Sequence, residues 1–167
     1  MRAEGRESRN AITTLLYRYG ECVDAADFAG LSNLFVQGRL LSSAAAEDKK
    51  GMKGPEIERF YAATNRVHED GTLRTRHLCS NVIVEVDEDG DTATAQSCYV
   101  VFQATGKLPL QPIVAGRYND RFENTNRTWH FAERVIHVDQ LGELSEHLRF
   151  DLAKGNIRYD EVVPDRN

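Results

Sequence analysis

Two residues carry the first chemical suggestion in this chain, the carboxylate of Asp24 and the imidazole of His77. Asp24 closes a helix-patterned segment, just before Ala25-Ala26. A carboxylate there opposes the helix macrodipole by about 0.3–1 kcal/mol, so a partner elsewhere is called for. His77 heads a β-rich run, Arg74-Thr75-Arg76-His77-Leu78-Cys79-Ser80-Asn81. Strict alternation sets His77, Cys79 and Asn81 on one face and Leu78, Val82 and Val84 on the other. A carboxylate bonded to one imidazole nitrogen fixes the tautomer and stabilises the imidazolium formed when the other nitrogen takes a proton. Joined, the two residues make a general base with its orienter. Apart, Asp24 is a solvated helix end and His77 a structural strand histidine.

The other candidates are thinner. His68 falls in a polar loop, His130 beside a turn, and His137 and His147 flank the C-terminal segment, without the spacing of a helical metal motif. Cys22, Cys79 and Cys98 include no C-x-x-C pair, so they read as buried thiols in a reducing compartment. The chain has no G-x-S-x-G, G-x-G-x-x-G, Walker loop or H-E-x-x-H. No metal and no cofactor are expected.

Three helices must carry these residues to a sheet. Residues 1 to 7 read as loose. From Ser8, Ile12, Leu15, Leu16, Tyr19 and Val23 form one helical stripe. Asp27 caps a second helix through Phe35, and Gly54-Pro55 opens a third, with Ile57, Phe60, Tyr61 and Thr64 as its apolar face. Gly38 to Ser43 is short and extended, and Ala44 to Lys53 reads as a mobile loop. The period then changes. Strands are expected over Thr75–Val86, Thr92–Ala104, Ile113–Phe122 and Thr128–Val138, with turns at Asp87–Gly90 and Glu123–Asn126. Helices first and strands later make an α+β layer fold. The remainder, 141–167, is a charged tail with a short helix expected around Leu144 to Leu152.

The chain has 167 residues, 41% of them apolar, enough for one core without a disulfide or metal staple. Lys and Arg number 21 against 26 Asp and Glu, a net charge of −5, and no basic stripe suits a nucleic acid. The longest apolar run, Cys98 to Phe102, is far below the roughly 20 residues of a membrane span. MRAEGRESRN has no apolar signal core, so a cytoplasmic location is expected.

Over residues 8 to 140 the chain resembles the SnoaL-like group of the nuclear-transport-factor-two-like superfamily. The resemblance rests on Tyr19-Gly20-Glu21-Cys22-Val23-Asp24-Ala25-Ala26-Asp27-Phe28 and Leu31-Ser32-Asn33-Leu34-Phe35. It continues through Gly54-Pro55-Glu56-Ile57, Arg76-His77-Leu78-Cys79-Ser80-Asn81, Ala115-Gly116-Arg117-Tyr118 and Trp129-His130-Phe131. It implies a cone, a strongly curved antiparallel sheet wrapped around three helices, with an apolar pocket and homodimers or homotrimers. The single cone domain would be 1–140. Dehydratase and dehydrochlorinase members use an Asp–His dyad, which Asp24 and His77 match, with Asn81 four residues after the histidine. Some place a Tyr or Lys five residues before the Asp, where Tyr19 stands; Tyr17 is the alternative phenol. Val23 departs from the tyrosine that scytalone dehydratase has there, and Val100 to Gln103 offer no second pocket histidine. No clear counterpart of the dehydrochlorinase arginine is present; Arg117 is the nearest strand cation. The resulting expectation is a cofactor-free lyase, dehydratase or isomerase for a hydrophobic cyclic substrate. Its rivals are a non-catalytic ligand-binding or structural module resembling dioxygenase β subunits, and an isomerase relying on a lone carboxylate.

Overall fold

A computed structural model describes residues 3–43, 50–87, 89 and 91–151. Helix α1 spans Ala3–Asp24 and begins inside the stretch expected to be loose. Glu and Arg are good helix formers, and an Arg9 Nη1 bond to the Val84 carbonyl pins this half to the sheet. The stripe is as expected, with Ile12, Leu16, Tyr19 and Val23 all buried. In α2, Phe28–Leu34, the Gly30 N–H donates to Asp27 Oδ1 at 2.8 Å, the cap the sequence asks for. Helix α3, Pro55–Thr64, starts with proline in its first turn, where the missing N–H goes unused.

The strands are β1 (Arg39–Ser42), β2 (Thr75–Val86), β3 (Thr92–Gln103), β4 (Gln111–Thr125) and β5 (Thr128–Leu141). They form one curved, open sheet in the order β1-β5-β4-β3-β2. The four long strands are antiparallel, and β1 adds a parallel edge beside β5, so the sheet is mixed. The β4–β5 ladder runs on to Thr125 opposite Thr128. Its turn is only Asn126-Arg127, with φ of +52° and +64°, the signature of a two-residue hairpin turn. Most of the wider turn expected at Glu123–Asn126 is therefore strand.

Two bulges change which residues face inward. In β2 the register shifts between Ser80 and Ile83, with Asn81 at φ +51°. Beyond it Val84 is buried and Ile83 is 60% exposed. Val84 thus joins the face of His77 and Cys79, whereas Leu78 alone keeps the outward side that simple alternation gave to all three aliphatics. In β5, Phe131 opposes Phe122 and Glu133 opposes Arg121, leaving Ala132 as an extra residue. That insertion turns Arg134 inward.

The α1 stripe packs against Tyr99, Tyr118, Phe122 and Phe131 on the concave face in one continuous core. Residues 145–147 form a turn where a helix was expected. The backbone explains the difference: the Arg66 N–H donates to His147 O and the Arg149 N–H to Thr64 O, both at 2.8 Å. Those groups serve the α3–β2 connection and cannot serve a helix. Leu152, the end of that expected helix, lies outside the described residues. So does most of the expected 44–53 loop, although Met52 bridges to Leu40.

Candidate active site

The end of α1 is shaped to present Asp24. The Asp27 N–H reaches Cys22 O at 2.8 Å and the Ala26 N–H reaches Val23 O at 3.0 Å. With Ala26 at φ +54°, this is a Schellman stop two residues past the end of the helix, formed without the usual glycine. One turn earlier, a Cβ on Gly20 would lie 2.9 Å from His77 Cβ. Only glycine lets the helix approach β2 this closely.

Three bonds then fix the carboxylate. His77 Nδ1 lies 2.6 Å from Asp24 Oδ1. Thr75 Oγ1 donates to the same oxygen at 2.7 Å, and the His77 N–H donates to Oδ2 at 2.9 Å. Burial pushes the Asp24 pKa up, but the bond and charge of His77, helped by Thr75 and the His77 amide, outweigh it and leave the carboxyl below its usual range. The side chains are 9% and 12% exposed. With Nδ1 engaged, Nε2 is the nitrogen left to exchange a proton.

Both residues line a cavity of about 370 Å³ between α1 and β2, whose wall includes Leu16, Tyr19, Cys79, Tyr99 and Tyr118. Tyr19 reaches it as expected, but its hydroxyl is 2.7 Å from that of Tyr61. Tyr17 stands at the cavity margin, 50% exposed. Two expected residues are elsewhere. The β2 bulge leaves Asn81 exposed, with Nδ2 3.9 Å from Cys98 Sγ on the outer face. Arg117 projects outward between buried Gly116 and Tyr118 and grips Asp139 at 2.8 and 2.9 Å.

Sequence reasoning missed the cation that does lie inside. Arg134 is fully buried and paired with Asp120 through Nε and Nη2, both at 2.8 Å. Its guanidinium carbon lies 4.3 Å from the Tyr19 ring centroid and 4.1 Å from that of Tyr118. Nη1 has no partner. Burial works against this charge, but Asp120 more than restores it. A signal existed: alternation places Asp120 between Tyr118 and Phe122, a carboxylate on an aromatic face. His147 was also passed over. It is buried, with Nδ1 unpartnered among the described residues. Burial, reinforced by the charge of His77, pushes its pKa down to about 4. Among the described residues no group of three or more His, Cys, Asp and Glu side chains could hold a metal ion, and no helix is long and apolar enough to cross a membrane.

Three helices under an open curved sheet form the cystatin-like α+β fold seen in nuclear-transport-factor-two-like proteins. Within that class the chain belongs to the SnoaL-like domain family, whose model matches residues 4–135. It is similar to Rv3472 of Mycobacterium tuberculosis, a protein of unknown function solved as an aspartate-to-asparagine variant: identity is 26%, coverage 83% of this chain and 75% of that one, and the TM-score 0.67. A protein assigned as a scytalone dehydratase from Novosphingobium aromaticivorans is 17% identical over 85% and 91% of the chains, with a TM-score of 0.63. The β subunit of a protein assigned as an aromatic-ring-hydroxylating dioxygenase, from the same organism, is 21% identical over 83% and 93%, with a TM-score of 0.60. No curated protein matches the chain.

Proposed function

We propose that this protein is a lyase of dehydratase type, or an isomerase, working through Asp24 and His77 without a cofactor on a hydrophobic cyclic substrate. The observation that carries the reading is the 2.6 Å contact between His77 Nδ1 and Asp24 at the wall of a cavity. Neutral His77 removes, through Nε2, a proton from a carbon made acidic by a neighbouring carbonyl. Asp24 holds the ring and balances the imidazolium. General-base catalysis of this kind contributes about 10²–10⁴-fold, and fixed charges near the developing negative charge supply more. Arg134 stacks behind Tyr19 and Tyr118, two rings that line the cavity, and acts on the site through them. The chain would work as a homodimer or homotrimer in the cytoplasm, with 1–140 as its domain and 141–167 as an appended tail.

A second reading is a non-catalytic ligand-binding or structural module. The observation favouring it is the interior beyond the cavity, filled by Arg134, Tyr118, Phe122 and Phe131. The two readings separate in heavy water. One- and two-ring ketones, with and without a β-hydroxyl, are incubated with the protein, and α-proton exchange and water loss are followed by NMR. The enzyme reading expects exchange that falls about 10²–10⁴-fold in His77→Gln. Equal rates for His77→Gln and the unaltered protein on a processed ketone overturn it, and no exchange across the panel favours the module.

A further inference from the structure

Tyr19, Tyr99 and Tyr118 all line the cavity of the dyad, but their hydroxyls differ. Tyr19 shares its hydroxyl with Tyr61 at 2.7 Å. Tyr99 donates to His137 O at 3.2 Å. Tyr118 Oη makes no hydrogen bond among the described residues, although the residue is only 4% exposed. Both faces of its ring are covered. The Tyr99 ring stacks at 4.3 Å and 10°, and the Arg134 guanidinium carbon lies 4.1 Å from the centroid. The ring is therefore fixed by packing while its polar end has nothing to bond to.

We propose that Tyr118 Oη is the donor that meets the oxyanion of a one- or two-ring ketone held in this cavity. The inference rests on the base reading above and deepens it by naming the oxyanion donor in the same cavity and the class of substrate. A cation over a phenol ring draws density from its oxygen and strengthens O–H as a donor. Burial favours the neutral phenol, which keeps the proton available for donation. A donor already fixed where charge develops needs no reorganisation during the reaction. The cavity, about 370 Å³, lies at the small end of ligand sites and suits one or two rings. Nε2 of His77 takes the α-proton, the C–H pair becomes a C=C bond, and the carbonyl π pair moves onto the oxygen that Tyr118 bonds. With a β-hydroxyl, the enolate re-forms the carbonyl and expels hydroxide. Hydroxide leaves as water with the proton from His77, giving an enone and a neutral dyad.

The test uses 4-nitrophenol, whose coloured anion stands in for the enolate oxygen. The whole protein is expected to bind the anion and keep it ionised below the pH at which the free phenol protonates. Tyr118→Phe should weaken anion binding about 10- to 100-fold, the range for a hydrogen bond to a charged group. It should change binding of the neutral phenol, read at acid pH, less than about threefold. Because the phenylalanine variant could fold poorly, 3-fluorotyrosine installed at position 118 gives a second readout, a fluorine resonance that shifts when the anion binds. Unchanged anion affinity in Tyr118→Phe, a loss found instead in Tyr19→Phe or Tyr17→Phe, a fluorine resonance that does not shift, or no anion binding by the unaltered protein each overturns the proposal. Binding of the anion requires no proton removal from carbon. A failed dyad would show instead as unchanged ketone exchange in His77→Gln.

Discussion

Asp24 and Asp120 both lie inside this fold against a nitrogen cation or base, and the two pairs differ in what they can do. Asp24 faces an imidazole at a cavity wall, where the side chains remain 9% and 12% exposed and a proton can come and go. Asp120 faces a guanidinium directly across the β4–β5 ladder, with both side chains at 0%. An arginine does not give up its proton, so that pair is a fixed charge distribution stacked on tyrosines. On the proposed reading the first pair transfers a proton. The second is a fixed ion pair in the interior, stacked on tyrosines that also line the cavity of the first.

Substitutions should separate the two roles. The largest effect is expected at His77. His77→Gln should lower ketone turnover or exchange about 10²–10⁴-fold while the protein still melts cooperatively in thermal unfolding. Asp120→Asn should act in the opposite sense, costing about 3–5 kcal/mol in denaturant unfolding, because it strands a buried cation. If instead His77→Gln unfolds the protein and Asp120→Asn leaves its stability intact, the division of labour is wrong.

Acid should reveal a third buried group. His147 is depressed from 6.5 to about 4 in the fold. Below its unfolded value the unfolded chain binds a proton that the native state refuses. Stability is therefore complete above about pH 6.5 and should fall by roughly 2–3 kcal/mol toward pH 4. Asp24, also depressed, adds a further loss as pH drops below its unfolded value near 3.9 and through its folded one. In unfolding measured across pH, His147→Gln should flatten the limb between pH 6.5 and 4 and leave the more acidic one. The smallest effect is expected at the stop of α1. Ala26→Gly should raise stability by about 0.5–1 kcal/mol, since alanine there sits at φ +54°.

The Asp24–His77 contact was half legible: a carboxylate at the wrong helix end and a histidine at the head of a strand drew attention separately, and the family resemblance paired them. The helical stripe, the Asp27 cap and the proline start of α3 were legible for the same kind of reason, each being a short-range preference. The Asp120–Arg134 pair was not, because Ala132 inserts one residue into β5. Counting in twos from Trp129 and Phe131 puts Glu133 inside, and the bulge puts Arg134 there instead. The β2 bulge misled in the same way, since strict alternation kept Asn81 on the His77 face. A bulge depends on how two strands share hydrogen bonds, and one strand's composition does not encode that.

The most direct test needs no substrate. Nitrogen-resolved NMR of histidine-labelled protein reads the tautomer of His77. His77 is expected to carry a proton on Nδ1, donated to Asp24, with Nε2 the nitrogen that exchanges; the Nδ1–H signal should collapse in Asp24→Asn. A neutral His77 carrying its proton on Nε2, or one whose tautomer is indifferent to Asp24→Asn, would contradict it.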